Sequence, residues 1–138
     1  MLTSAGQGPA TVTATITDGA GNVSSPSTPA TITIDTVGPT APATAPSVTE
    51  SAGGGINGTE AVDGTTVEVP LSGTGASEGD VVNVIIDGVA TPHTITAAEI
   101  TAGTASVAVP ASVLTAAGQG PATVTATITD GAGNVSSP

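Results

Sequence analysis

The sequence predicts an all-β protein, an antiparallel β-sandwich, from three observations. Aliphatic and hydroxyl residues alternate in several short runs, Gly-rich turns separate those runs, and only two segments, TAAEITAG and PASVLTAAG, suit a helical turn. In residues 11–17, Val12, Ala14 and Ile16 alternate with Thr11, Thr13, Thr15 and Thr17, which puts aliphatics on one face of a strand and hydroxyls on the other. The same period of two recurs in residues 30–35, 65–71, 80–87 and 104–110. Several short strands at close spacing within about 100 residues indicate an antiparallel sandwich.

The core of that sandwich must be aliphatic, because the 138 residues include no Phe, Trp, Tyr or Cys. Val, Ile and Leu each contribute about 1.5–3 kcal/mol when buried, so a domain without aromatics is expected to be marginal unless a ligand adds to its stability. The chain also lacks Lys and Arg, and its eleven carboxylates give a formal charge of −11. With His93 and the chain amine as the only possible cations, no conventional salt bridge is expected.

Like charges at this density are relieved by solvation, spacing, protonation or bound metal. Oxygen ligands without thiolates or imidazole clusters suit a hard cation such as calcium and disfavour zinc, copper and iron–sulfur chemistry. Nothing here neutralises a phosphate, which argues against nucleic acid and anionic membranes as partners. The first ten residues have neither the charged start nor the apolar core of an export signal, and no run approaches the roughly 20 apolar residues of a bilayer span. Any export signal or anchor is expected outside this sequence.

Residues 2–26 return at residues 114–138, a shift of 114 − 2 = 112, with Ser4 against Ala116 the single difference. A repeat of that length is a whole domain rather than a solenoid unit, so the sequence reads as a window on a tandem array. The segment DTVGPTAPATAP carries Pro39, Pro42 and Pro46 and is expected to be extended and stiff. The domain reading is therefore residues 1–35 as the C-terminal strands of one repeat, 36–46 as a Pro-rich linker, and 47–138 as a second repeat without its last strand. Because residues 27–35 contain such a strand, head-to-tail strand complementation between molecules is expected in a crystal.

TVTATITDGAGNVSSP, ITIDTVGPTAP, SAGGGINGTEAVDG and GTGASEGDVVNVIIDG resemble the bacterial immunoglobulin-like repeats of giant adhesins over essentially the whole chain. They are most similar to the calcium-dependent extender repeats of long repeats-in-toxin adhesins, ice-binding adhesins of marine bacteria among them. The resemblance implies an immunoglobulin-like sandwich, an extracellular place on the bacterial surface, and calcium at loops and domain junctions. An immunoglobulin-like strand order would bring Asp35, Glu78, Asp80, Asp130 and Asn134 to one pole, where calcium would find 6–8 oxygens. Asp130-Gly131 equally fits a hairpin turn. Asn57, Glu60 and Asp63, with Glu50 just before them, form a second candidate metal loop or a merely solvated one. Asp18 and Asn22 repeat the role of Asp130 and Asn134 if the first copy is folded.

Asp87-Gly88 reads as a hairpin turn, Glu68 and Glu99 as solvent-facing residues, and His93 as a loop or edge histidine. No activated Ser or Cys and no second His accompany His93, so an enzyme is not expected. The Thr row at 11, 13, 15 and 17 fits a solvent-facing pleat better than an ice- or sugar-binding ladder. The function read from the sequence is a calcium-stiffened spacer whose partners are neighbouring repeats of the same chain. The alternative is an adhesive module that itself binds ice, glycan or a partner cell.

Overall fold

The structure, a computed structural model, describes residues 6–138, which divide into two compact units, one up to Val37 and one from Gly38 to Pro138. In the first, strand β1 (Gly8–Val12) pairs antiparallel with β2 (Ala30–Ile34), Gly8 opposite Ile34 and Val12 opposite Ala30. Beyond β1 the chain stays alongside itself: Ser27 N donates to Ala14 O at 2.8 Å and Ser24 N to Ile16 O at 2.9 Å. Nearly every residue is exposed, Ile16 at 77%. A two-stranded ribbon of this kind has no second layer to bury against and is marginal by itself.

The second unit is the all-β, immunoglobulin-like sandwich expected from the sequence. It begins with β3 (Ser47–Val48), a 3-10 turn (Thr49–Gly53) and the single-turn helix α1 (Glu60–Asp63). There follow β4 (Thr65–Pro70), β5 (Val81–Ile86) and β6 (Val89–Thr94), then helix α2 (Ala97–Ala102), β7 (Thr104–Val109), helix α3 (Ala111–Ala117) and β8 (Val124–Thr129). One antiparallel sheet has the order β3-β4-β7, the other β6-β5-β8. Alternate residues face inward, so Val67 and Val69 of β4, Val82 and Val84 of β5, Val107 and Val109 of β7, and Ile128 of β8 are at most 2% exposed. Ile95, Leu71 and Val113 of α3 close the core.

The alternation identified β2, β4, β5, β7 and β8, and the two helical segments are α2 and α3. Strand β6 escaped it because Pro92 interrupts the pattern, and Pro92 is tolerated because β6 is an edge strand. Residues 87–88 form the two-residue hairpin read from Asp-Gly: Ile86 pairs with Val89, with φ of +46° at Asp87 and +86° at Gly88.

The first copy of TVTATIT departs from expectation. Residues 13–17 lie outside any strand, whereas the identical residues 125–129 make up the body of β8. The difference is a partner: β8 bonds along its whole length to β5, from Val81 opposite Thr129 to Ile86 opposite Val124, and among the described residues the first copy has no such strand beside it. Of the Thr row, Thr11 stands on β1 and Thr13, Thr15 and Thr17 lie outside any strand, so the row is not one continuous strand face. The proline segment 38–46 groups with the second unit, where Thr40 N donates to Thr74 O at 2.8 Å and the Thr40 hydroxyl to Gly73 O at 2.9 Å. Among the described residues no helix is long and apolar enough to cross a membrane.

Candidate functional site

The β5–β8 register sets the pole at which acidic loops gather in the second unit. Val81 opposite Thr129 is the last pair, so Asp80 and Asp130 stand one residue beyond it on adjacent strands. A Cβ built on Gly38 would lie 3.1 Å from Asn134 Cβ, which places the start of the proline segment against the same turn.

Asp130 organises its own turn. Its Oδ1 accepts from Ala132 N at 2.9 Å and Asn134 N at 2.8 Å, and its Oδ2 from Asn134 Nδ2 at 2.9 Å. Asp130 N donates to Asn134 O at 3.0 Å, and Gly133, at φ +91°, supplies the left-handed residue that closes the loop. The turn is thus wider than a two-residue hairpin. The first copy reproduces it: Asp18 Oδ1 accepts from Ala20 N and Asn22 N, both at 2.9 Å, and Asp18 Oδ2 from Asn22 Nδ2 at 2.8 Å. In each copy the hydrogen bond from the Asn side chain is the largest influence holding the Asp carboxyl below its ordinary pKa. Being local in origin, the turn forms even where the strand before it does not.

The other predicted ligands are distributed as follows. Asp80, 7% exposed, accepts from Ser77 N at 2.8 Å and so closes the β4–β5 loop; Glu78 is exposed on that loop. Asp35 lies in the first unit and accepts from Val37 N at 3.3 Å. Asn57 and Glu60 bind each other's backbone reciprocally: Asn57 Oδ1 accepts from Glu60 N at 3.2 Å, and Glu60 Oε2 from Asn57 N at 2.8 Å. This reciprocal pair ties the loop to the first residue of α1, where a plain loop was expected. Glu50 accepts the hydroxyl hydrogen of buried Thr65, and Asp63 is exposed at the end of α1.

Chemically the set fits a hard cation, since all its donors are oxygens. Geometrically it does not converge: among the described residues no group of three or more His, Asp or Glu side chains is placed to hold a metal ion. Asp80 and Asp130 already accept backbone N–H groups.

Glu99 departs most from its sequence reading, because it is not solvent-facing. Its Oε1 accepts from His93 Nε2 at 2.8 Å and Ser106 N at 2.9 Å, while its Oε2 accepts from Thr96 N at 2.9 Å and the Thr96 hydroxyl at 2.8 Å. Thr96 and Glu99 form the capping box of α2, and His93 reaches them from the edge strand β6. His93–Glu99 is an ion pair whenever His93 is protonated. Glu68, the other residue read as solvent-facing, accepts from the Ser106 hydroxyl at 2.9 and 2.8 Å across the β4–β7 pair.

Burial raises the Glu99 pKa, but the bonds from His93, Thr96 and Ser106 outweigh it and hold the carboxyl at about 2, against 4.5 for an ordinary Glu. A depressed folded-state pKa stabilises the fold above the unfolded value, and that stability is lost as pH falls through the folded one. The window therefore runs from about pH 4.5 down to about pH 2. Acidification across it is expected to remove about 1–2 kcal/mol through this group, less than the full shift because the pair is partly screened. Urea unfolding of the chain and of Glu99→Gln, followed by far-UV circular dichroism at pH 6 and pH 3, checks this. The variant should lose less stability than the parent on acidification, and parallel losses would refute the assignment.

At the opposite end of the sandwich lies an apolar cavity of about 540 Å³, which reading the sequence for charges did not find. Ile56, Ile86, Leu114, Gly120, Ala122 and Val124 are among its lining residues. The alternation of the last three is the one signal in the sequence that pointed there.

No protein-family model matches the chain, and no curated protein matches it. Two solved structures are similar to it. One is a Ca2+-stabilized adhesin with which an Antarctic bacterium binds ice, at 29% identity over 93% of this chain and 29% of that one. The other is a 1.5-MDa bacterial ice-binding adhesin, at 31% identity over 93% of this chain and 38% of that one. The TM-score is 0.44 in both cases. The chain is similar to bacterial ice-binding adhesins. It spans about a third of the length of the two matched chains.

Proposed function

We propose that this chain is a structural spacer, an extender repeat of a bacterial cell-surface adhesin, acting outside the cell by holding a distal binding region away from it. The observation that carries the reading is the duplication: a 25-residue segment recurs at a shift of 112 with one substitution, and both copies build the same Asp-centred turn. Repetition of a whole domain end, turn included, makes length. Hot spots of recognition are typically Trp, Tyr and Arg, and this chain has none of the three.

Calcium belongs to the proposal through donor chemistry and through the resemblance of the sequence to calcium-dependent repeats. A cation that binds only the folded state adds RT ln(1 + [L]/Kd) to its stability, which matters for an aliphatic core and a charge of −11. Thermal unfolding followed by far-UV circular dichroism, in millimolar calcium and in chelator, separates the parts of the reading. An upward shift of several degrees in calcium supports a calcium-stiffened spacer, and superimposable curves remove calcium from it. The spacer itself is tested by ice-affinity partition and a glycan array on this chain: no retention is expected, and retention would overturn the spacer in favour of an adhesive module.

A further inference from the structure

We infer that Asn57 is a self-modifying site, at which the side-chain amide is displaced by the main-chain nitrogen of Gly58 and the loop before α1 acquires an aspartate or isoaspartate. The chain has four asparagines, at 22, 57, 83 and 134; three precede Val and only Asn57 precedes Gly. The residue after an asparagine supplies the attacking nitrogen, which a β-branched side chain crowds and a glycine leaves open. The structure singles out the same residue. Asn22 and Asn134 hold their Nδ2 atoms on the carboxylates of Asp18 and Asp130, at 2.8 and 2.9 Å. Asn83 lies within β5, opposite Pro92 on one side and Thr127 on the other. Asn57, Gly58 and Thr59 are exposed and outside any strand.

The loop also prepares the Asn57 carbonyl for attack. Its Oδ1 accepts from Thr59 N at 2.9 Å and from Glu60 N at 3.2 Å. Two backbone N–H groups on one carbonyl oxygen polarise the carbon and stabilise the negative charge that develops on the oxygen as a nucleophile adds, the arrangement of an oxyanion hole. The leaving nitrogen, Nδ2, donates to no described group.

In the step itself the Gly58 nitrogen bonds to Cγ of Asn57 and gives its proton to water, the Cγ–Nδ2 bond breaks, and ammonia leaves behind a cyclic imide. Water then opens the ring. Cleavage between the nitrogen and Cγ restores the main chain with aspartate at 57, and cleavage at the main-chain carbonyl carbon leaves the chain running through the side chain as isoaspartate. Water is the only co-reactant. Either product adds a negative charge to the loop. Aspartate keeps an oxygen for Thr59 N and Glu60 N, now in charge-assisted bonds, whereas isoaspartate lengthens the main chain beside Ile56, a lining residue of the cavity. The loop thus records the age of the molecule.

Ageing the 138-residue chain in warm, mildly alkaline buffer tests the inference, read by isoelectric focusing and peptide mass mapping. Cleavage after Glu50 and Glu60 isolates residues 51–60, which hold Asn57 alone among the asparagines. That peptide should gain the mass of an amide turned into an acid, in aspartate and isoaspartate forms, before any peptide with Asn22, Asn83 or Asn134 changes. Gly58→Val should slow the conversion by about tenfold or more. The variant is expected to fold, with the parent's melting temperature, because Gly58 does not hold a positive φ and nothing lies within 4 Å of a Cβ built there. Thr59→Pro removes the 2.9 Å donor at a φ of −75°, which proline adopts, and should slow the conversion about fivefold. An unchanged 51–60 peptide, earlier conversion at another asparagine, or the parent's rate in either variant would overturn the inference. The step involves neither cation nor neighbouring repeat, so loss of the calcium or spacer reading leaves it standing.

Discussion

Ile128→Ala is expected to destabilise the second unit by about 2–4 kcal/mol, while Ile16→Ala, the same residue of the same repeated segment, changes stability by less than about 0.5 kcal/mol. Ile128 is fully buried between the two sheets, whereas Ile16 is 77% exposed. Truncating Ile128 removes its burial and leaves a void among Val82, Val84 and Val107, which are too short to collapse into it. For a domain of marginal total stability such a loss is a large fraction of the whole. Urea titration followed by far-UV circular dichroism checks the pair. Equal effects would mean that the first copy has its own buried core.

Gly64→Ala is expected to cost about 3 kcal/mol or more, and Gly73→Ala about 1 kcal/mol. Both glycines hold a positive φ, +86° and +80°, and at Gly64 a ψ of −172° adds to the strain a side chain would meet. They differ in space. A Cβ at Gly64 would stand 2.6 Å from Val109 O and 3.3 Å from Ala111 N, backbone atoms at the junction of β7 and α3, while nothing lies within 4 Å of a Cβ at Gly73. Gly64 lets the end of α1 pass against that junction just before β4 begins, and displacing it separates the β4–β7 ladder at Thr65 opposite Val109. Thermal melting of the two variants measures the difference. Equal melting temperatures would show that the junction yields.

Local chemistry was legible in the sequence. Asp-Gly at 87–88, the Asp-centred turn at 130–134 and the helical segments after Thr96 and Pro110 all arise within a few residues of one another, so short-range hydrogen bonds decide them. The role of Glu99 was half legible. Thr96 and Glu99 have capping-box spacing, but the bonds from His93 and Ser106 come from strands β6 and β7, brought together by packing. Asp80 and Asp130 stand on adjacent strands at one pole, as the strand order implied, yet their oxygens turn inward to their own loops, a choice made by the N–H groups each loop leaves without a strand partner.

Composition and period determined by themselves that this protein is all-β, aliphatic in its core, strongly acidic, and a repeat of something longer than a solenoid unit. Only the tertiary structure decided which of two identical segments is a strand. TVTATIT has the same propensity at both places and in both copies bonds on one side to the chain that follows its turn, but among the described residues only the second copy has a strand, β5, along its other side. The cavity at Gly120, Ala122 and Val124 is likewise a product of packing, because its lining is drawn from β3, β5, α3 and β8, which lie far apart in the sequence.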